Sequence, residues 1–132
     1  MAEFCKKVNC PIGITDKHKH KLALVAKDLA EDAEFLEAQL DGDAAILRAH
    51  LMCEELSETI LAIATGNNEE ILDGLCDLLY VVFGTVIAVG YENVIEEAFD
   101  RVHKSNMSKT PSGFRHRDKG NSYQPPNLGE LL

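Results

Sequence analysis

After Asp77 the chain reads LLYVVFGTVIAVG. On a 3.6-residue period this segment is apolar on every side, through Leu78, Leu79, Val81, Val82, Phe83, Val86, Ile87 and Val89. A helix of that kind leaves no face for water and must be covered all round. One domain with four substantial helices has too little partner surface for the task, so a homo-oligomer is expected to supply the rest. The other source of cover is the first helix and the C-terminal tail. Gly84 sits mid-helix, where it costs about 1 kcal/mol relative to Ala, and close approach of a second helix would offset that. The apolar run, residues 78–90, falls short of the roughly 17–25 residues needed to span a bilayer. The opening MAEFCKKVNC lacks the apolar core of a secretory signal. The expectation is a cytoplasmic protein with no membrane partner.

The remainder of the chain is expected to be helical. No stretch alternates with period two, and Pro11, Pro111, Pro125 and Pro126 all fall outside the periodic segments. A short helix over residues 2–9 stops before Cys10-Pro11, since a residue preceding proline is pushed out of the α region. A long helix over residues 16–40 carries Leu22, Val25, Leu29, Leu36 and Leu40 as its apolar stripe. The turn DGD leads through an Asp43 cap into a helix over residues 44–65, packed through Leu47, Leu51, Leu56, Ile60 and Ile63. In GNN, Gly66 closes that helix and an Asn caps the next, over residues 69–89 and closed by Gly90. Asn93 and Glu96 have capping-box spacing for a fifth helix, residues 94–105, packing through Val94, Ile95, Ala98, Phe99 and Val102. The fold class is therefore all-α: a four-helix core of helical hairpins completed by homodimerisation. Residues 1–105 form the domain. Residues 106–132, polar and rich in Gly, Ser and Pro, form an extended arm or a loose tail.

The net charge of −9 argues against general nucleic-acid binding, which needs cations for phosphates. The charge is also unevenly spread. Residues 1–100 hold 7 Lys/Arg against 20 Asp/Glu, whereas residues 101–132 hold 6 against 2. Cys5, Cys10, Cys53 and Cys76 follow no zinc spacing, and the two on long helices are expected to be small buried apolar residues. No phosphate-binding G-x-x-x-x-G-K-[ST] loop is present. His50 and His103 have no Ser or Cys at a spacing that points to nucleophilic catalysis.

The acidic residues concentrate in two places. EELSE puts Glu54, Glu55 and Glu58 within five residues, and Asp73 and Asp77 lie one turn apart in the next helix. The short turn between those helices makes them an antiparallel hairpin, so the two groups can face each other. Like charges at such spacings repel by roughly 0.2–0.5 kcal/mol per pair. Either the cluster is a solvated face, or it holds a cation. Oxygen ligands without His or Cys select a hard metal, Mg²⁺ with Mn²⁺ as the alternative, and such sites serve phosphate chemistry.

EELSE, DGLCDLLYVVFGTVIAVG and FDRVHKSNMSK, at these separations, resemble the MazG-like all-α nucleoside triphosphate pyrophosphohydrolases. The likeness is greatest to the branch that also resembles phosphoribosyl-ATP pyrophosphohydrolase. It runs from about Arg48 to Lys109, and KGNSYQPPNL is similar to that branch's C-terminal arm. The resemblance implies a Mg²⁺-dependent dimer, or dimer of dimers, that cleaves nucleotide substrates between the α- and β-phosphates. It implies Glu55, Glu58 and Asp77 as metal ligands, with Glu54 as a further ligand or as the base for the attacking water. The family often shows E-x-x-D where this chain has Gly74 and Asp77, and Asp73 is the carboxylate that remains on that face. Lys104, Asn106 and Lys109 are implied as substrate contacts, with Arg48 and Tyr80 as further candidates. Arg115, Arg117 and Lys119 would close over the bound substrate. Phosphoribosyl-ATP hydrolysis is the sister reading, placed second because the tail differs. A non-catalytic helical dimer with an acidic patch for a metal or a basic partner protein is the rival from another class.

Overall fold

The computed structural model describes residues 2–7, 13–109 and 120–132, and every described regular element is helical. These are α1 (Ala2–Lys7), α2 (Lys19–Glu37), α3 (Ala44–Thr65), α4 (Asn68–Ala88) and α5 (Ile95–Ser108), with single 3₁₀ turns at Asp16–His18 and Leu128–Leu131. The chain divides into two compact units. One is Ile14–Gly90, and the other joins Met1–Gly13 to Tyr91–Leu132.

In the first unit α3 packs against both α2 and α4 as two consecutive helical hairpins. Local chemistry sets where these helices begin and end. Asp43 Oδ1 accepts from the backbone N–H of Ala45 at 2.6 Å and of Ile46 at 3.4 Å, satisfying donors that a helix start leaves open. Gly66 ends α3 in the left-handed region at φ 75°. The Asn cap of α4 is Asn67, whose Oδ1 accepts from Glu70 N–H at 3.4 Å, and Asn68 is already helical. The second helix is shorter at both ends than residues 16–40. It begins after a 3₁₀ turn, and past Glu37 the bond from Gln39 N–H to Leu36 C=O, 3.0 Å, tightens the exit.

The core of this unit is built from small residues. Ala26, Ala33, Ala62, Ala64, Ser57, Thr59, Gly74 and Val81 are buried, while Val25, Leu40, Leu47 and Leu56 of the expected stripes are exposed. Small side chains let α2 and α3 approach until side chains of one bond to the backbone of the other. Ser57 Oγ donates to Ala26 C=O at 2.8 Å, and His50 Nδ1 lies 3.1 Å from Ala33 C=O. The tight α3–α4 contact falls at Gly74, where a Cβ would sit 2.5 Å from Thr59 Oγ1 and 3.2 Å from Thr59 Cα. Gly84 has a different reason from the one expected. A Cβ there would meet Arg48 Nη1 at 2.6 Å, so the missing side chain makes room for a guanidinium and not for another helix.

α4 is left largely uncovered. Leu72, Leu79, Phe83 and Ile87 are 56–67% exposed, and Tyr80 is 83% exposed. Cys76, expected to be buried, lies exposed on the same helix; Cys53 is half-buried. By length and composition alone α4 is long enough and apolar enough to cross a membrane, beyond what residues 78–90 indicated. Asp73 and Asp77 lie within that length, and ionised carboxylates near a bilayer centre cost roughly 2.5–3.5 kcal/mol each.

In the second unit α1 rests on α5, with Lys7 Nζ donating to Met107 C=O. Residues 8 and 9 of the expected first helix lie outside the described residues. The capping box at Asn93 and Glu96 does not form. Val94, whose side chain has no polar atom, stands at the cap position instead, and Tyr91 C=O accepts from the N–H groups of Val94 and Ile95 at 3.1 and 3.0 Å. α5 runs to Ser108, three residues beyond expectation, and Ile95 and Phe99 of its expected packing face are exposed. Of the two readings of the C-terminal segment, its described part is an ordered arm. Arg101 holds Glu97 from Nε and Nη2 at 3.1 and 2.7 Å, and reaches Glu130 at 2.9 Å and Asn127 C=O at 3.1 Å from Nη1. Ser122 Oγ donates to Ser108 C=O at 2.7 Å, and Gln124 N–H donates to Ser108 Oγ at 2.8 Å.

Candidate active site

The α3–α4 hairpin carries both acidic groups. The contact of Thr59 with Gly74 fixes its register, and in an antiparallel pair this brings the middle of α3 to the early turns of α4. Glu55 is the focus. Burial pushes its carboxyl above the usual range, and Asp77, Glu58, Glu54 and Asp73, in that order, push it further the same way. All five carboxylates therefore act on one place. Glu54 and Glu55 are half-buried, whereas Glu58, Asp73 and Asp77 are exposed.

Two neighbours shape the site that spacing alone did not single out. His50 Nε2 lies 3.8 Å from Glu54 Oε2, one turn along α3, while its Nδ1 faces Ala33 C=O. The imidazole thus stands between α2 and Glu54, and it forms an ion pair when protonated. Its i,i+4 spacing to Glu54 was the available signal. Thr59 Oγ1 donates to Glu55 C=O at 2.8 Å, while its side chain occupies the space that a residue larger than Gly74 would need.

The donor set is all oxygen, which suits a hard divalent ion, and the shared field at Glu55 is of the sign such an ion neutralises. Among the described residues, however, no three Asp, Glu, His or Cys side chains are drawn into a metal-holding cluster. The fit is one of donor chemistry and charge.

The other sequence candidates fall in two places. Arg48 lies two turns before Glu55 on α3, against Gly84, and Tyr80 projects into solvent from α4. Lys104, Asn106 and Lys109 belong to the second unit. There Lys104 pairs with Asp100 at 2.6 Å, and Lys109 Nζ donates to Asn106 Oδ1 at 2.6 Å. Arg115, Arg117 and Lys119 lie outside the described residues.

The class of protein follows from comparison with known families: a pyrophosphohydrolase of the MazG-like superfamily, a hydrolase acting on acid anhydrides. The family model for phosphoribosyl-ATP pyrophosphohydrolase matches residues 23–106, well over half of the chain, and the protein belongs to that family. Neither the curated proteins nor the solved structures contain a significant match to it.

The raised Glu55 carboxyl has a consequence for stability. Between the ordinary glutamate range, about 4.3, and its raised value, the folded chain holds a proton that the unfolded chain has released. Its contribution to stability is then present at low pH and lost as pH rises through the raised value. Glu55→Gln should melt above the wild type at pH 7 in metal-free buffer, by roughly 1–2 °C for one like-charge pair of about 0.2–0.5 kcal/mol. The gap should close toward pH 4. Thermal melts at pH 4, 5, 6 and 7 check this, and a constant gap would count against the electrostatic origin.

Proposed function

We propose that the protein is a Mg²⁺-dependent nucleoside triphosphate pyrophosphohydrolase that converts its substrate to the nucleoside monophosphate and pyrophosphate, clearing unwanted nucleotides from the cytoplasmic pool. The observation that carries this reading is the convergence of four neighbouring carboxylates, Asp77, Glu58, Glu54 and Asp73, on the part-buried Glu55, which has little use without cations. Glu55, Glu58, Asp73 and Asp77 would hold Mg²⁺, or Mn²⁺ in its place. When bound, the ion neutralises substrate phosphates and makes water a better nucleophile.

The residues then divide the work. Glu54 accepts a proton from the attacking water, whose oxygen bonds to the α-phosphorus. The bond from that phosphorus to the bridging oxygen breaks, and pyrophosphate leaves with the electron pair. His50, 3.8 Å from Glu54, is a positioning residue that keeps this carboxylate in place. Arg48 and Tyr80 contact the substrate. Lys104, Asn106 and Lys109 contribute by exchanging their present partners for phosphate or sugar oxygens. The active form is a homodimer, alone or as a dimer of dimers, and the uncovered stripe of α4 supports that assembly.

The matched family favours a second substrate, phosphoribosyl-ATP, in which the same α–β bond would be cut. A panel of ribo- and deoxyribonucleoside triphosphates together with phosphoribosyl-ATP, assayed with Mg²⁺ and with chelator, separates the two. Turnover across several ordinary triphosphates supports the first reading, and turnover confined to phosphoribosyl-ATP supports the second. No turnover on any of them would leave the helical dimer with an acidic binding patch.

A further inference from the structure

At the open end of the α3–α4 hairpin lies a pocket of about 400 Å³. Ala45, Ala49, Met52 and Val89 give it apolar walls, and Arg48 and Thr85 are its polar members. Thr85 spends its hydroxyl proton on Val81 C=O at 2.9 Å. That leaves the Arg48 guanidinium as the donor group, and among the described residues no carboxylate lines the pocket or pairs with Arg48. A half-buried arginine without a partner is unusual in a chain of net charge −9. Gly84 leaves the room in which it lies.

Position relates this pocket to the carboxylates. Arg48 and Glu55 are seven residues apart on one helix, hence on the same face and roughly 10 Å apart along the axis. That is comparable to the span of a nucleoside from its 5′ oxygen to the far edge of its base. The volume also falls within the usual range of small-ligand pockets, about 300–1,000 Å³.

We infer that this pocket receives the base of the nucleotide substrate and that Arg48 selects bases with an oxo group at purine C6 or pyrimidine C4 over bases with an amino group there. The inference rests on the nucleotide reading above and adds a specificity to it. A guanidinium only donates. The O6 and N7 of guanine or hypoxanthine offer it two adjacent acceptors, and uracil or thymine offers O4. Adenine and cytosine put an amino donor at the corresponding edge. There the N–H groups of the amino substituent would face a guanidinium that also only donates.

The test compares GTP, ITP and UTP with ATP and CTP. The wild type should favour the oxo bases by about tenfold or more in kcat/KM. Arg48→Ala should raise KM for the oxo bases by roughly 10–100-fold and so remove their advantage over the amino bases. Gly84→Ala provides a second variant that folds: the added methyl displaces the guanidinium end while improving helix propensity. It should melt at or above the wild type and lose the same preference. Calorimetric binding of GMP and AMP in chelator reads the pocket independently of turnover. A GMP preference present in the wild type and lost in Arg48→Ala sustains the inference, even if no triphosphate is hydrolysed and the catalytic reading fails. A uniform loss across all bases in Arg48→Ala, equal treatment of the bases by the wild type, or a preference for adenine would overturn it.

Discussion

Glu58→Gln should lower kcat by at least about 100-fold while leaving the helices folded. The glutamine keeps the size of the side chain and one acceptor oxygen, exchanges the other oxygen for a donor NH₂ group, and removes the charge. In the proposed site that charge is one of the ligands that fix where the substrate phosphates are neutralised, and deleting a single transition-state contact of this strength typically costs about 10²–10³ in rate. The same change relieves repulsion. Glu58 faces Glu54 at i,i+4 and Glu55 at i,i+3, each pair worth roughly 0.2–0.5 kcal/mol. A thermal melt in metal-free buffer should therefore show the variant at or slightly above the wild type. Activity falling as stability holds or rises separates a functional carboxylate from a structural one. Retention of wild-type kcat would assign Glu58 to a solvated face.

The second large effect concerns α4. Leu72, Leu79, Phe83 and Ile87 form one stripe, and each remains more than half exposed in the single chain. Burying such side chains is worth up to about 1.5–3 kcal/mol apiece, and a two-fold interface uses every one twice. Phe83→Asp places two carboxylates in that interface while removing little packing within the chain, since Phe83 is 58% exposed. In analytical ultracentrifugation the wild type should sediment as twice its 14.6 kDa protomer and Phe83→Asp as the protomer. The variant should also melt lower, and its melting temperature should lose the concentration dependence of an associating system. A wild type that stays monomeric at micromolar concentration would require another cover for α4.

Much of the helical framework was readable from local chemistry. Asp43 before an apolar-periodic segment and Gly66 after it mark α3, because a side-chain oxygen for open N–H groups and a residue free to turn left-handed are local requirements. The approach of the two acidic groups followed from their spacing and the short turn between their helices, and the structure brings the other four charges to act on Glu55. What was not readable depends on contacts between distant residues. Asn93 and Glu96 have capping-box spacing, yet the carbonyl of Tyr91 takes over the start of α5. Val25 and Leu40 fit the apolar period of α2, but contact through Ala26 and Ala33 turns a neighbouring face inward. Gly84 gave the same signal for a passing helix as for the Arg48 guanidinium that it accommodates. Arg101, one basic residue among several near the tail, holds the arm through Glu130 and Asn127, 29 and 26 residues further on.

In the proposed reaction these carboxylates direct water to the α-phosphorus of a nucleoside triphosphate. The most direct measurement is hydrolysis of an active triphosphate with Mg²⁺ in ¹⁸O-labelled water, with the products separated and weighed and Glu58→Gln run alongside. Nucleoside monophosphate and pyrophosphate in equal amounts, with the label in the monophosphate and no product from the variant, is the predicted result. Diphosphate and phosphate as products, label in the pyrophosphate, or equal turnover by Glu58→Gln would contradict it.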